Sequence, residues 1–208
     1  MAGVYDTARG PLARLASPLA ARARARRHAQ FFALTRLRTG ARVLDLGCGR
    51  IGLRALVGDD PVEPQLEITG VDLQPRPDYP GPFVQADAAE GLPFADDEFD
   101  LVYCSSVIEH VPPTRRAAFA AELRRVGRGF YVQTPAYSFP IEPHALLPFA
   151  HWLPPSLRRP YWRLGAAGQW EQISLLRAGE VERLFGVPPL PERFGPLVKS
   201  WVCVRPAA

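Results

Sequence analysis

No stretch of about 20 uninterrupted apolar residues occurs in the chain, so no segment reads as a helix able to cross a bilayer. Cysteine is scarce as well. Cys48, Cys104 and Cys203 are the only three, far apart and without a CxxC pair. That spacing argues against a disulfide frame or a zinc site and for reduced thiols, so no bound metal is expected. The first residues lack the compact apolar stretch of a secretory signal, which sets the expectation of a cytoplasmic protein. Acid is missing from one region: between Thr7 and Leu44 stand nine arginines and no Asp or Glu. Without those nine, the 25 Lys and Arg fall to 16 against 21 acids, so the pI of about 9.2 belongs to one segment. A nucleic-acid partner for the body of the protein does not follow from it, and no specific one is expected.

What is present reads as globular: 47% of the 208 residues are hydrophobic and 22% charged. Residues 1–40 read as a helical extension, with amphipathic helix between Leu12 and Leu37 burying Phe31, Phe32, Leu34 and Leu37. Its Ala21–Arg27 run is read first as a solvated helix face. Contact with phosphate or anionic lipid, or a transit peptide, are the other readings. From Ala41 onward, short apolar runs alternate with glycine-rich or helical stretches: ARVLDL, LEITGVDL, PFVQAD, FDLVYCS, GFYVQTP and, near the end, LVKSWVCV. Continuously apolar strands at such intervals indicate an α/β fold with a mostly parallel, doubly wound sheet covered on both faces. The clearest connecting helix is Ala117–Val126. Residues 135–168, dense in proline and aromatics, read as an insertion or lid on the acceptor side. A helix is expected over Ile173–Phe185, and the last strand is expected to run antiparallel. Residues 41–208 then make one domain.

The run Val43–Gly52, VLDLGCGRIG, ends a strand with a glycine turn that lets the backbone approach a ligand. It matches GxGxxG, so an NAD(P)-dependent oxidoreductase is one reading. Asp45, two residues before the first glycine, would repel a pyrophosphate and attract an ammonium group such as that of S-adenosylmethionine. Gly58, Pro61 and Pro64 also make a long phosphate-facing helix doubtful. Asp72 ends the second strand, where an acid can accept from both hydroxyls of a ribose. Asp87, after the third strand, can accept from an adenine amine, with Leu73 and Leu92 as apolar neighbours; capping of a turn is its other reading.

Taken in order, VLDLGCG, GVDL, the Ala86–Asp87 pair and LPFADDEFDLVYCSSVIEHV resemble the class I S-adenosylmethionine-dependent methyltransferases of the type 11 kind, closely over residues 41–111 and in outline beyond. The resemblance implies a Rossmann-like seven-stranded sheet of order 3-2-1-4-5-7-6 with the last strand antiparallel. It implies Asp45, Gly47 and Gly49 around the methionine portion of the cofactor, Asp72 at the ribose, and Asp87 and Ala88 at the adenine, with Cys48 and Leu73 also counted as cofactor-binding. Backbone carbonyls of Cys104 and Ser105 would then meet the methionine amine. One departure stands out. The family commonly has a third glycine where this chain has Ile51, and Gly52 is displaced by one.

Methyl transfer from a sulfonium is an in-line displacement with a neutral leaving group, so collinear positioning does much of the work and no fixed triad is needed. A general base matters only for a protonated acceptor. Candidates are His110 in IEHV and the pair Glu142 and His144 between prolines; Tyr137 and His151 are weaker. Each has a structural role as its alternative. Trp152, Arg158, Arg159, Tyr161 and Trp162 suit either a lid or a peripheral membrane contact. The expected acceptor is a small molecule, a lipid or a glycan precursor. A non-catalytic interaction module is the third reading, weakened by the concentrated acids at 45, 72 and 87.

Overall fold

The computed structural model describes residues 28–57, 65–166 and 173–207. The arginine run Ala21–Arg27 and most of the expected N-terminal helix lie outside these residues. Helix α1 occupies residues 28–35, followed by β1 (Arg42–Leu46), α2 (Arg54–Val57), β2 (Glu67–Asp72), β3 (Phe83–Gln85) and β4 (Phe99–Ser105). Next come α3 (Arg116–Val126) and β5 (Gly127–Pro135), a small β6 (Ile141–Glu142) and β7 (Leu147–Pro148) hairpin, and α4 (Pro155–Trp162). Helix α5 (Ala178–Phe185) and the hairpin of β8 (Leu190–Phe194) and β9 (Leu197–Arg205) close the chain. The main sheet runs β3-β2-β1-β4-β5-β9-β8. Strands β1 to β5 pair in parallel, and β9 is antiparallel to both β5 and β8. This is the expected seven-stranded order, with β8 and β9 as its sixth and seventh strands.

Alternation along each strand divides the core in two, because successive side chains point to opposite faces. Leu44, Val71, Val102, Cys104, Phe130, Val132 and Cys203 pack with Phe119, Leu123, Val181 and Phe185 of α3 and α5. Val43, Ile68, Leu101, Tyr131 and Val202 pack on the other face with Phe31, Leu37, Leu53 and Val57. Phe31 is fully buried, its ring edge-on to Tyr103 and Tyr131 at 5.6 and 5.3 Å. Burial of such a ring contributes about 1.5–3 kcal/mol, so α1 belongs to the packed domain.

One element differs from the sequence expectation. Residues 173–177 are not helical: Leu176 bridges Ala136, its carbonyl accepts from Tyr137 N–H at 3.0 Å, and Ser174 N–H donates to the Glu109 carbonyl at 3.0 Å. Backbone groups engaged with the edge of the sheet cannot also form a helical ladder, so α5 starts only at Ala178. Strand β8, LPERF, carries no apolar alternation because it is an exposed edge with a proline and two charges. Fully buried Arg116 ties α3 to this region. It donates to the Val111 carbonyl at 3.0 Å, to the Ser174 carbonyl, and to Glu180 of α5 at 2.6 Å.

A third apolar cluster joins Ala145, Leu147, Ala150 and Trp162 of the expected insertion to Ile173 and Leu175 beyond it. Trp162 is therefore interior, while Leu146, Phe149, Trp152, Leu157 and Leu164 are exposed. Among the described residues no helix is long and apolar enough to cross a membrane.

Candidate active site

A cleft of about 1590 Å³ opens at the carboxyl ends of β1, β2, β4 and β5. Its floor begins at the turn after β1, where Gly47 and Cys48 N–H both donate to the Val71 carbonyl, at 2.7 and 3.1 Å. Gly47 has φ +75°, and a Cβ there would lie 2.3 Å from a Val107 methyl. No side chain fits at that point, so the backbone itself forms the wall.

Asp45 does not face the cleft. It is buried beneath the turn, where Oδ2 accepts from Leu53 N–H at 2.7 Å and from the Tyr79 hydroxyl at 3.2 Å. Burial pushes its carboxyl up to about 6, against the lowering effect of those two bonds. In the folded state it therefore keeps a proton at pH values where the unfolded chain, near 3.8, has lost it. Such a group makes stability fall as pH rises from 3.8 toward 6. Asp45→Asn should remove that slope, with a difference from the parent on the order of 2 kcal/mol between about pH 4 and pH 7. Urea unfolding at both pH values checks this; identical pH dependence in the two proteins would refute it.

Asp72, at the tip of β2, lines the cleft and is already fully engaged. Oδ2 accepts from Gly49 N–H and Arg76 Nε, both at 3.0 Å, and Oδ1 from Gln74 N–H at 2.9 Å and an Arg76 terminal nitrogen at 3.1 Å. Leu73 beside it is exposed on the cleft wall. Asp87 divides its oxygens: Oδ1 accepts from Ala89 N–H at 2.9 Å, capping the following turn, and Oδ2 pairs with Arg115 at 3.0 Å. Asp87 and buried Ala88 both line the cleft. Ser105 lines it too, donating from its hydroxyl to Gln133 Oε1 at 2.8 Å. The cysteines do not. Cys48 and Cys104 are buried, and burial pushes the Cys48 thiol up to about 12, so neither offers a reactive sulfur.

At the far end of the same cleft stand His110 and His144, their rings edge-to-face at 4.9 Å. His110 ends a short 3-10 turn, Ile108–His110, after β4, and His144 follows β6. Glu142 is buried and reaches the cleft only through His144, whose Nδ1 lies 2.7 Å from Glu142 Oε1. Glu142 Oε2 also accepts from His144 and Ala145 N–H. Tyr137 and His151 are turned to one another, His151 Nε2 lying 2.9 Å from the Tyr137 carbonyl, and neither lines the cleft.

Four residues here escaped the sequence reading: Arg76, Arg115, Gln133 and Glu109. The first three are polar residues in segments that carry no motif. Glu109 stood in plain view in IEHV. Its signal was an acid between two apolar residues in a turn, since burial of a carboxylate calls for a compensating partner. Its side chain is buried, accepts from Thr134 Oγ1 at 3.0 Å, and burial pushes its carboxyl up to about 7.

The groups lining the near half fit an adenosyl amino acid. A Cβ at Gly49 would meet nothing within 4 Å, so backbone is open to a ligand there, and carboxylates stand at the tips of β2 and β3.

Comparison with known proteins points the same way. Residues 44–129 match the family model described as a methyltransferase domain. The 2-methyl-6-phytyl-1,4-hydroquinone methyltransferase of Synechocystis is 33% identical over 108 residues, 47% of this chain. The match spans only 32% of that enzyme's length. Among solved structures, the PH0226 protein of Pyrococcus horikoshii superposes with a TM-score of 0.56 at 20% identity, over 86% of this chain and 87% of that one. The 1,6-didemethyltoxoflavin-N1-methyltransferase of Burkholderia thailandensis, solved with 1,6-didemethyltoxoflavin and S-adenosylhomocysteine, superposes at 0.51 and 17% identity, over 88% and 75% of the two chains. At these identities the structural likeness concerns the fold.

Proposed function

We propose that this chain, whose fold and motifs are those of the class I S-adenosylmethionine-dependent methyltransferases, moves a methyl group from that cofactor to a small-molecule, lipid or glycan-precursor acceptor. The observation that carries the reading is the single cleft joining the glycine turn, Asp72 and Asp87 to His110 and His144. It is larger than the roughly 300–1,000 Å³ of a one-ligand site, so donor and acceptor can share it. When bound, the cofactor supplies an electrophilic methyl on a positively charged sulfur.

The chain's own residues do the rest. The turn at Gly47 and Gly49 offers backbone to the amino acid portion. Asp72 accepts from the ribose hydroxyls once Arg76 gives way, and Asp87 with Ala88 borders the adenine. Holding the acceptor in line with the sulfur–methyl bond removes most of the entropic barrier. Val107, Val111, Phe119 and Phe139 give the cleft part of its apolar lining. A hydroxyl or ammonium acceptor must also lose a proton, and His110 and His144 are among the ionisable groups that line the cleft.

Parallel calorimetric titration with S-adenosylmethionine, S-adenosylhomocysteine and NAD tests the reading. The first two should bind with one site per chain and NAD should give no heat. Binding of NAD alone would instead restore the oxidoreductase that GCGRIG also allows.

A further inference from the structure

We propose that Glu109, His110 and His144 form a site for one divalent transition-metal ion, and that this ion holds a hydroxyl oxygen of the methyl acceptor. The acceptor half of the proposal rests on the methyltransferase reading; the cation site stands on its own geometry.

The three side chains come from two separate segments, yet one ligand atom of each lies within 4.8 Å of the others. Glu109 Oε1 is buried and accepts no hydrogen bond, although Oε2 of the same carboxylate takes one from Thr134. A buried carboxylate oxygen with no donor is costly, and it is turned toward His144, whose Nε2 lies 3.9 Å away. Two ligands at zinc-like bond lengths of about 2.1 Å stand about 3.4 Å apart in a tetrahedral site. Small side-chain rotations therefore close the gap.

His144 is prepared for ligation by its other nitrogen. The 2.7 Å contact of Nδ1 with Glu142 Oε1 holds the proton on Nδ1 and directs the Nε2 lone pair at Glu109. Glu142 is itself fixed by two backbone N–H groups, at 2.9 and 2.6 Å. A carboxylate behind a ligating histidine is the usual outer support of such sites. Two imidazoles and one carboxylate suit Zn²⁺, Fe²⁺ or Mn²⁺ better than Mg²⁺, which prefers oxygen ligands throughout. His110 is exposed on the cleft wall, so the remaining coordination positions open toward the acceptor space.

Hydroxyl acceptors follow from that chemistry. A cation lowers the pKa of an oxygen it binds, so the O–H proton leaves to solvent at neutral pH. The oxygen then forms its bond to the methyl carbon. The carbon–sulfur electron pair stays on sulfur, and the cofactor leaves as a neutral thioether. The sequence alone, with no cysteine or histidine pair at metal spacing, gave no reason to expect a metal.

Zinc titration of the chelator-treated full-length protein, followed by calorimetry and by imidazole NMR, tests this. One equivalent should bind. Of the four histidines, His110 and His144 should shift, while His28 and His151 stay in place. Glu109→Gln and His144→Ala should each weaken Zn²⁺ binding by about 100-fold, and Glu142→Gln by about 10- to 100-fold, with S-adenosylhomocysteine affinity unchanged. A Zn²⁺ dissociation constant above about 1 mM, or shifts confined to His28 or His151, overturns the site whether or not the variants fold. If the thioether product binds and zinc does not, the methyltransferase reading survives without the metal. If zinc binds and the thioether does not, the metal site stands and the methyltransferase reading falls.

Discussion

Asp72→Ala should weaken binding of S-adenosylhomocysteine by at least roughly 100-fold, because each hydrogen bond to a charged carboxylate is worth about 1.5–3 kcal/mol and a ribose presents two hydroxyls to it. A second loss adds to the first. Asp72 Oδ2 also accepts from Gly49 N–H, so the alanine variant releases the turn that the amino acid portion rests on. The sign of a companion variant separates this from general damage. Arg76 now occupies both Asp72 oxygens, at 3.0 and 3.1 Å, and must move before a ribose can bind. Arg76→Ala should therefore leave affinity equal to the parent or raise it. Calorimetry on the three proteins, with circular dichroism to confirm folding, decides the matter. An Asp72→Ala protein that binds within threefold of the parent would mean that this carboxylate serves only to anchor Arg76.

Gly52→Ala should destabilise the protein by about 3–5 kcal/mol, from left-handed backbone strain of about 1–2 and overpacking of about 1–3 plus a lost bond. Gly52 has φ +40°, and a Cβ there would meet the Asp45 carboxylate and, at 2.7 Å, the Cys48 carbonyl. Asp45 would have to retreat from Leu53 N–H, and the turn would lose its anchor. In a chain of this size the loss corresponds to a fall in Tm of roughly 10–15 °C. Because the clash is largely with Asp45, the same substitution in an Asp45→Ala background should be milder. Thermal unfolding of the four proteins of the cycle measures that coupling. Strict additivity would show that the strain lies in the backbone alone.

That cycle also accounts for the displaced glycine. Ile51, where the family commonly has glycine, is half exposed, and it is Gly52 that packs on Asp45. The motif pattern locates the turn but not which residue passes over the buried acid, since that depends on the path of the loop in space.

Asp45 illustrates the same division. Its position before the first glycine was legible, and so was its acidity. That it points inward, to Leu53 and Tyr79, was not, because Tyr79 is 34 residues away in sequence. The helix expected from Ile173 failed for a similar reason. Its first residues are held by Ala136, Tyr137 and Glu109, contacts that propensity does not register.

The sequence by itself determined the sheet, because continuously apolar strands separated by helical intervals have few ways to bury both faces. It also determined that the acids at 72 and 87 lie at strand tips beside a glycine turn, since strand ends are marked by local composition. Only the tertiary structure decided what those acids touch, and that Glu109, His110 and His144 meet. Local periodicity fixes elements over a few residues, whereas a site at the carboxyl edge of a parallel sheet is assembled from loops far apart in the chain.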